Sequence, residues 1–181
     1  EIGVWQILPL SPTSYGDSPY QSFSVHAGNP YFISLEDLIQ EGVLTEEECS
    51  RADFGSRPDF VDYAKVYEER YPLLRKAYER SSISLDPEFR KFRDENRWWL
   101  EDYALFMAVK ARFKGTAWTR WAQDIRLRWQ NALDYYRREL YYDIEFHQYL
   151  QFKFSQQWKK LKSYANANGI RIIGDIPIYV A

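Results

Sequence analysis

At 181 residues, 45% of them hydrophobic, the chain has material for one domain, or one domain with an insertion, and enough apolar side chain for a real core, which excludes disorder. Its 24 basic and 26 acidic residues are intermixed and sum to a net charge of -2, so neither nucleic acid nor an anionic membrane is expected as a partner. The single cysteine, Cys49, excludes an intrachain disulfide framework and a multi-cysteine zinc site, reads as a small buried or half-buried residue, and fits a reducing compartment.

In chain order, Trp5 to Leu10 is an apolar run that reads as a strand. It gives way to Ser11-Pro12-Thr13-Ser14-Tyr15-Gly16-Asp17-Ser18-Pro19-Tyr20-Gln21-Ser22, dense in turn formers and hydroxyls, which reads as a loop at a strand end. A helix is expected after Ser34, whose hydroxyl can accept from the Asp37 amide, and it should stop near Gly42. Thr45 with Glu48 has the capping-box spacing of a second short helix. From Val61 to Arg80 the positions Ala64, Tyr67, Tyr71, Leu74 and Tyr78 form one helical face, which Pro72 must kink or divide. Asp86-Pro87 starts another helix. A stripe through Trp99, Tyr103, Phe106 and Val109 or Lys110 marks the next, ended by Gly115. The clearest pattern is the last: Phe146, Leu150, Phe154, Trp158, Leu161 and Ala165, with Gly169 releasing the chain into a final strand from Ile170 to Val180.

The order is strand, long helical excursion, strand, and both strands run into the ends of the chain. Apolar, β-branched strands of this kind are buried on both faces in parallel sheets, and the connection between parallel neighbours is a right-handed crossover. The expected fold class is therefore α/β: a partial TIM (β/α)8 barrel with two parallel strands and a large helical insertion, mostly α by residue count. A whole barrel takes about 250 residues and eight strands, so the chain reads as a piece of something larger, with 1–34 as barrel strand and substrate loop, 35–145 as helical insertion, and 146–181 as barrel helix and following strand. No stretch approaches the roughly 18 apolar residues of a membrane span, and a cytoplasmic location is the expectation.

The residues at both ends carry a resemblance. Trp5-Gln6-Ile7-Leu8-Pro9-Leu10-Ser11-Pro12-Thr13, then Tyr15-Gly16-Asp17-Ser18-Pro19-Tyr20-Gln21 and Gly28-Asn29-Pro30-Tyr31, resemble the 4-α-glucanotransferase family, also called amylomaltase or disproportionating enzyme. Gln148-Tyr149, Phe152, Gln156-Gln157-Trp158, Tyr164-Ala165-Asn166, Gly169-Ile170 and Gly174-Asp175-Ile176-Pro177-Ile178-Tyr179-Val180 are similar to that family's entry into its third barrel strand. Val61-Asp62-Tyr63 and Phe106 to Lys110 are weaker matches. One departure is Ala122, where the family pattern has a proline, which puts a helix boundary there in question. The resemblance implies an enzyme that cuts an α-1,4-glucan, keeps the donor part as a covalent intermediate and passes it to another glucan or to glucose. It implies no metal and no organic cofactor.

Retaining glycosyl transfer takes two carboxyl groups about 5 Å apart, one a nucleophile and one an acid/base. In a barrel they stand at the ends of several strands, and the resemblance puts them on strands beyond Ala181, so no catalytic residue is assigned in this chain. Substrate-binding residues are another matter, because sugar sites pair placed polar groups with flat aromatic surfaces. Tyr20 and Ser18, on the loop and in the family's substrate-binding stretch, are candidates for glucose contacts near the scissile bond; by resemblance Tyr15 belongs to a secondary glucan position. Asp175, where the third strand would reach the barrel mouth, is expected to organise the site electrostatically. Asp17 is expected to order its loop by bonding backbone amides.

Other conspicuous residues read as structure. His26 and His147 have no metal-ligand spacing, although His26 is near enough to the loop to border a glucan. Trp118, Trp121 and Trp129 are expected in core or barrel contacts. Arg137-Arg138 and Lys159-Lys160 are solvated charge pairs. The expected partners are maltooligosaccharides or α-1,4-glucan and the remainder of the chain's own barrel. A reading from a different class is a non-catalytic helical module that binds carbohydrate or protein.

Overall fold

Two short parallel strand pairs join the ends of a mostly helical chain. The computed structural model describes residues 3–180, excepting the side chains of Tyr15 and Val180. Strand β1 (Val4–Gln6) pairs with β3 (Arg171–Ile173), Trp5 opposite Ile172. The Ile7 amide extends this ladder by donating to the Ile173 carbonyl at 3.0 Å. Strand β2 (Gln21–Ser22) pairs in the same sense with β4 (Tyr179–Val180).

Where two strands are expected there are thus four among the described residues. The final apolar run is divided because Gly174 and Pro177 interrupt it, proline having no amide to give a ladder. Nor are the strands buried on two faces: Val4, Trp5 and Ile173 are exposed, because each sheet holds only two strands here.

The contacts divide the chain into two compact units, Glu1–Asp86 with Leu150–Ala181, and Pro87–Tyr149. In the first, helix α1 (Leu35–Gln40) starts at Ser34, whose hydroxyl accepts from the Asp37 amide at 3.0 Å, and stops at Gly42 with φ 76°. Helix α2 (Glu46–Ser50) has the reciprocal capping box of Thr45 and Glu48. Helix α3 (Tyr63–Arg80) runs through Pro72 without dividing. Pro72 is on the exposed side, where water can serve the carbonyl that it leaves without an amide. The expected stripe on α3 is buried only in its last turns, at Leu74 and Tyr78 with Leu73 and Ala77, while Tyr71 is half-buried and Ala64 and Tyr67 are exposed.

In the second unit, α4 (Pro87–Glu95) and α5 (Arg97–Arg112) are followed by the short helix α6 (Gln123–Arg126) and by α7 (Gln130–Glu139). The left-handed Lys114 and Gly115 end α5, the Gly115 amide returning to the Lys110 carbonyl at 2.9 Å. Helix α6 begins directly after Ala122 without the family's proline. The core of this unit gathers Leu105, Val109, Trp121, Ile125 and Leu133, with the Phe113 ring stacked on Trp121. Of the three tryptophans expected in core or barrel contacts, Trp121 lies in this core, while Trp118 and Trp129 are exposed.

Helix α8 (Tyr141–Ala167) contributes residues to both units. Its expected stripe is buried at Phe146, Leu150 and Ala165, half-buried at Phe154 and Trp158, and exposed at Leu161. Beyond it Gly169 is left-handed, and the Ile170 amide closes back on the Ala165 carbonyl at 2.9 Å, which turns the chain into β3.

Candidate functional site

The segment after β1 doubles back on itself. Thr13 bridges Ser22, and the Ser14 amide and hydroxyl both donate to the Gln21 carbonyl, at 3.2 and 3.3 Å. Two consecutive left-handed residues, Gly16 and Asp17, make the tip, and the Asp17 amide donates to the Ser14 carbonyl. The Asp17 carboxylate accepts from the Thr13 hydroxyl at 3.4 Å. Asp17 therefore bonds within the loop, through the Thr13 hydroxyl where backbone amides were expected as its partners. On the return path the Ser18 hydroxyl accepts from the Tyr20 amide at 3.3 Å.

Tyr20 meets the other end of the chain. Its carbonyl accepts from the amides of Ile178 and Tyr179 at 3.2 and 3.0 Å, and its hydroxyl donates to Asp175 Oδ2 at 2.9 Å. Asp175 Oδ1 accepts from the Ile176 amide at 2.8 Å, so both carboxylate oxygens are engaged and the carboxylate is oriented. The hydrogen bond to Asp175, more than desolvation or the carboxylate's charge, raises the Tyr20 pKa, and the phenol stays a donor at neutral pH. Asp175 lies on the wall of a cavity of about 430 Å³ whose other ionisable lining groups are His26 and Lys162. Asp175 and His26 are exposed. A carboxylate, a cation and an imidazole beside the apolar Leu8, Ile176 and Pro177 suit a ligand with hydroxyls and hydrocarbon faces.

The Tyr31 ring meets Tyr63 and Tyr71 with centroids 6.4 and 6.3 Å away, and the Tyr67 ring stands 4.9 Å from Tyr71. Burial, with the charge of Asp17 second, pushes the Tyr31 phenol up to about 12. Among the described residues no three His, Cys, Asp or Glu side chains are grouped to hold a metal ion, and no helix is long and apolar enough to cross a membrane.

The sequence model of the family described as 4-alpha-glucanotransferase matches residues 1–181. The chain belongs to the 4-alpha-glucanotransferase family. A 4-alpha-glucanotransferase of Clostridium butyricum is 46% identical over 98% of this chain, and one of Streptococcus pneumoniae is 50% identical over 98%. The chain spans 36% and 35% of the length of these two relatives. An amylomaltase from Streptococcus agalactiae, solved in complex with acarbose, superposes with a TM-score of 0.91 at 42% identity, covering 98% of this chain and 36% of that one. The family likeness thus extends to the backbone, which is mostly helical with few parallel strands.

Of the residues singled out from sequence, Tyr20, Ser18 and Asp175 are brought together, and Asp175 also faces the cavity. The side chain of Tyr15 lies outside the described residues, so its candidacy has no geometry to meet. The sequence reading did not single out Gln151 or Lys162, and took Phe154 only as part of the α8 stripe. For Gln151 a signal was present but ambiguous: Gln148, Gln151 and Lys153 are polar positions interleaved in the apolar pattern of α8, and all three are buried.

Proposed function

We propose that this chain is the N-proximal part of a 4-α-glucanotransferase that moves α-1,4-glucan segments between maltooligosaccharides, or onto glucose, by retaining double displacement. Its strands then belong to a (β/α)8 barrel whose remainder is the chain's closest partner, with 1–34 as strand and substrate loop, 35–145 as the helical insertion and 146–181 as barrel helix and strand. Within that insertion, residues 35–86 pack in the same unit as the strands. Tyr20, Ser18 and Asp175 bind sugar next to the bond being cut, Tyr15 binds glucan at a secondary position, and the nucleophile and acid/base come from the part of the enzyme outside these residues. A cytoplasmic site of action goes with the reading and with the lone half-buried cysteine.

The observation that carries this is the Tyr20–Asp175 hydrogen bond at a cavity wall, joining the two segments whose motifs mark the family. With the phenol's one proton committed to Asp175, the Tyr20 oxygen and the oriented Asp175 carboxylate are preorganised acceptors for sugar hydroxyls, which is what transition-state binding needs. Neither group is asked to move a proton to the substrate. The test is incubation of the full-length protein with maltotriose. Glucose together with longer maltooligosaccharides is the expected result; maltotriose recovered intact overturns the reading.

A further inference from the structure

We infer that Gln151 is a positioning residue: its buried amide clasps Gly28 and thereby fixes the cavity wall that faces Asp175. The Gly28 amide donates to Gln151 Oε1 at 2.7 Å, and Gln151 Nε2 donates back to the Gly28 carbonyl at 2.9 Å. One side-chain amide thus serves both backbone groups of one residue, as a neighbouring strand would, in an irregular segment that has no strand beside it. The next residue closes the loop, since the Asn29 amide donates to the Leu10 carbonyl at 2.7 Å. Leu10 and Gly28 line the Asp175 cavity together with His26 and Ala27. The hydrogen bonds of the Gln151 side chain go to Gly28, and among the described residues none joins it to Ser18, Tyr20 or Asp175. It acts through the backbone that carries the wall.

The same helix supplies its own control. Gln157 makes the same double bond to Ser34, accepting from the amide at 2.6 Å and donating to the carbonyl at 3.3 Å. Ser34 caps α1 and does not line the Asp175 cavity. Loss of either clasp leaves a backbone N–H and C=O to be satisfied afresh, buried at Gly28 and part-buried at Ser34, so a purely structural role predicts a stability loss from both and a change in substrate kinetics from neither. A positioning role predicts consequences for substrate from Gln151 alone.

This rests on the reading of the loop and Asp175 as a glucan site, and the test separates the two. In the full-length protein, Gln151→Met and Gln157→Met keep the length and helix preference of the side chain and remove the amide. Gln151→Met is expected to raise KM for maltotriose roughly tenfold with kcat within about twofold, the pattern of lost uniform binding; Gln157→Met should leave both within about twofold. Amide hydrogen exchange should quicken roughly tenfold at Gly28 and Asn29 in Gln151→Met only. Equal KM changes in the two variants, or faster exchange at Gly28 with an unaltered KM, overturn the proposal. If Gln151→Met does not fold, Gln151→Glu retains the acceptor for the Gly28 amide without the donor, and a wild-type KM in that variant overturns it equally. Exchange is read whether or not the wild type transfers glucan, so an inactive wild type counts against the proposed function, and unchanged exchange in Gln151→Met against the clasp.

Discussion

Gly28 sits where backbone and ring come closest: a Cβ there would stand 2.1 Å from Phe154 Cδ1, well inside any real contact. The chain needs glycine at this point because α8 presses against the loop, and not because of an unusual backbone angle. Gly28→Ala must displace either the ring or the clasped segment, and overpacking of this kind costs about 1–3 kcal/mol. Urea unfolding of the full-length protein should show a lower midpoint at unchanged slope. Tyr20 makes its case through function. Tyr20→Phe removes one hydroxyl and leaves the Ile176 amide on Asp175, so the fold should persist while kcat/KM for maltotriose falls roughly three- to tenfold. Wild-type kinetics in that variant would take Tyr20 out of the site.

The short helices depend on their ends, and Glu48 shows how. Within α2 its carboxylate accepts from the Thr45 amide at 3.1 Å while the Glu48 amide donates to the Thr45 hydroxyl at 3.2 Å. From α3, Arg80 donates to both carboxylate oxygens at 2.9 Å and Lys76 adds a third bond at 3.0 Å. Arg80 first and Lys76 second hold the Glu48 carboxyl down at about 2, against an ordinary 4.5. Because the folded value is the depressed one, the stabilising contribution is complete above pH 4.5 and is lost as pH falls towards 2. Thermal melts across that range should show wild type and Glu48→Gln furthest apart above pH 4.5 and converging below it. A constant gap down to pH 2 would mean that solvent has already cancelled these bonds, as it does for many exposed ion pairs.

At the scale of the whole molecule, the two strand pairs are the exposed part. Trp5, Ile173, Ile176 and Ile178 are exposed, and β1, β3 and β4 each have an edge with no strand paired to it among the described residues. Such edges recruit further strands. The 181-residue chain by itself is therefore expected to self-associate as its concentration rises, seen by sedimentation velocity, and to release no glucose from maltotriose, the carboxylate pair having been assigned outside it. Transfer products from this chain alone would refute that assignment.

How much of this was legible in the sequence follows from the range of each interaction. Ser34 with Asp37, Thr45 with Glu48, and Gly169 after α8 are local, three to five residues in reach, and their chemistry determined helix ends before any coordinates. The family motifs at the two ends likewise pointed to Tyr20 and Asp175 separately. Only the tertiary structure decided that these two share a hydrogen bond across 155 residues and that Gln151 holds Gly28 across 123, because nothing in a one-dimensional pattern records which backbone group a buried amide will find. It also decided which aromatic residues are covered: Trp121 is and Trp118 is not, although both are tryptophans in the same few residues. Periodicity reports which side chains share a face of one element; what that face meets depends on the packing of all the others.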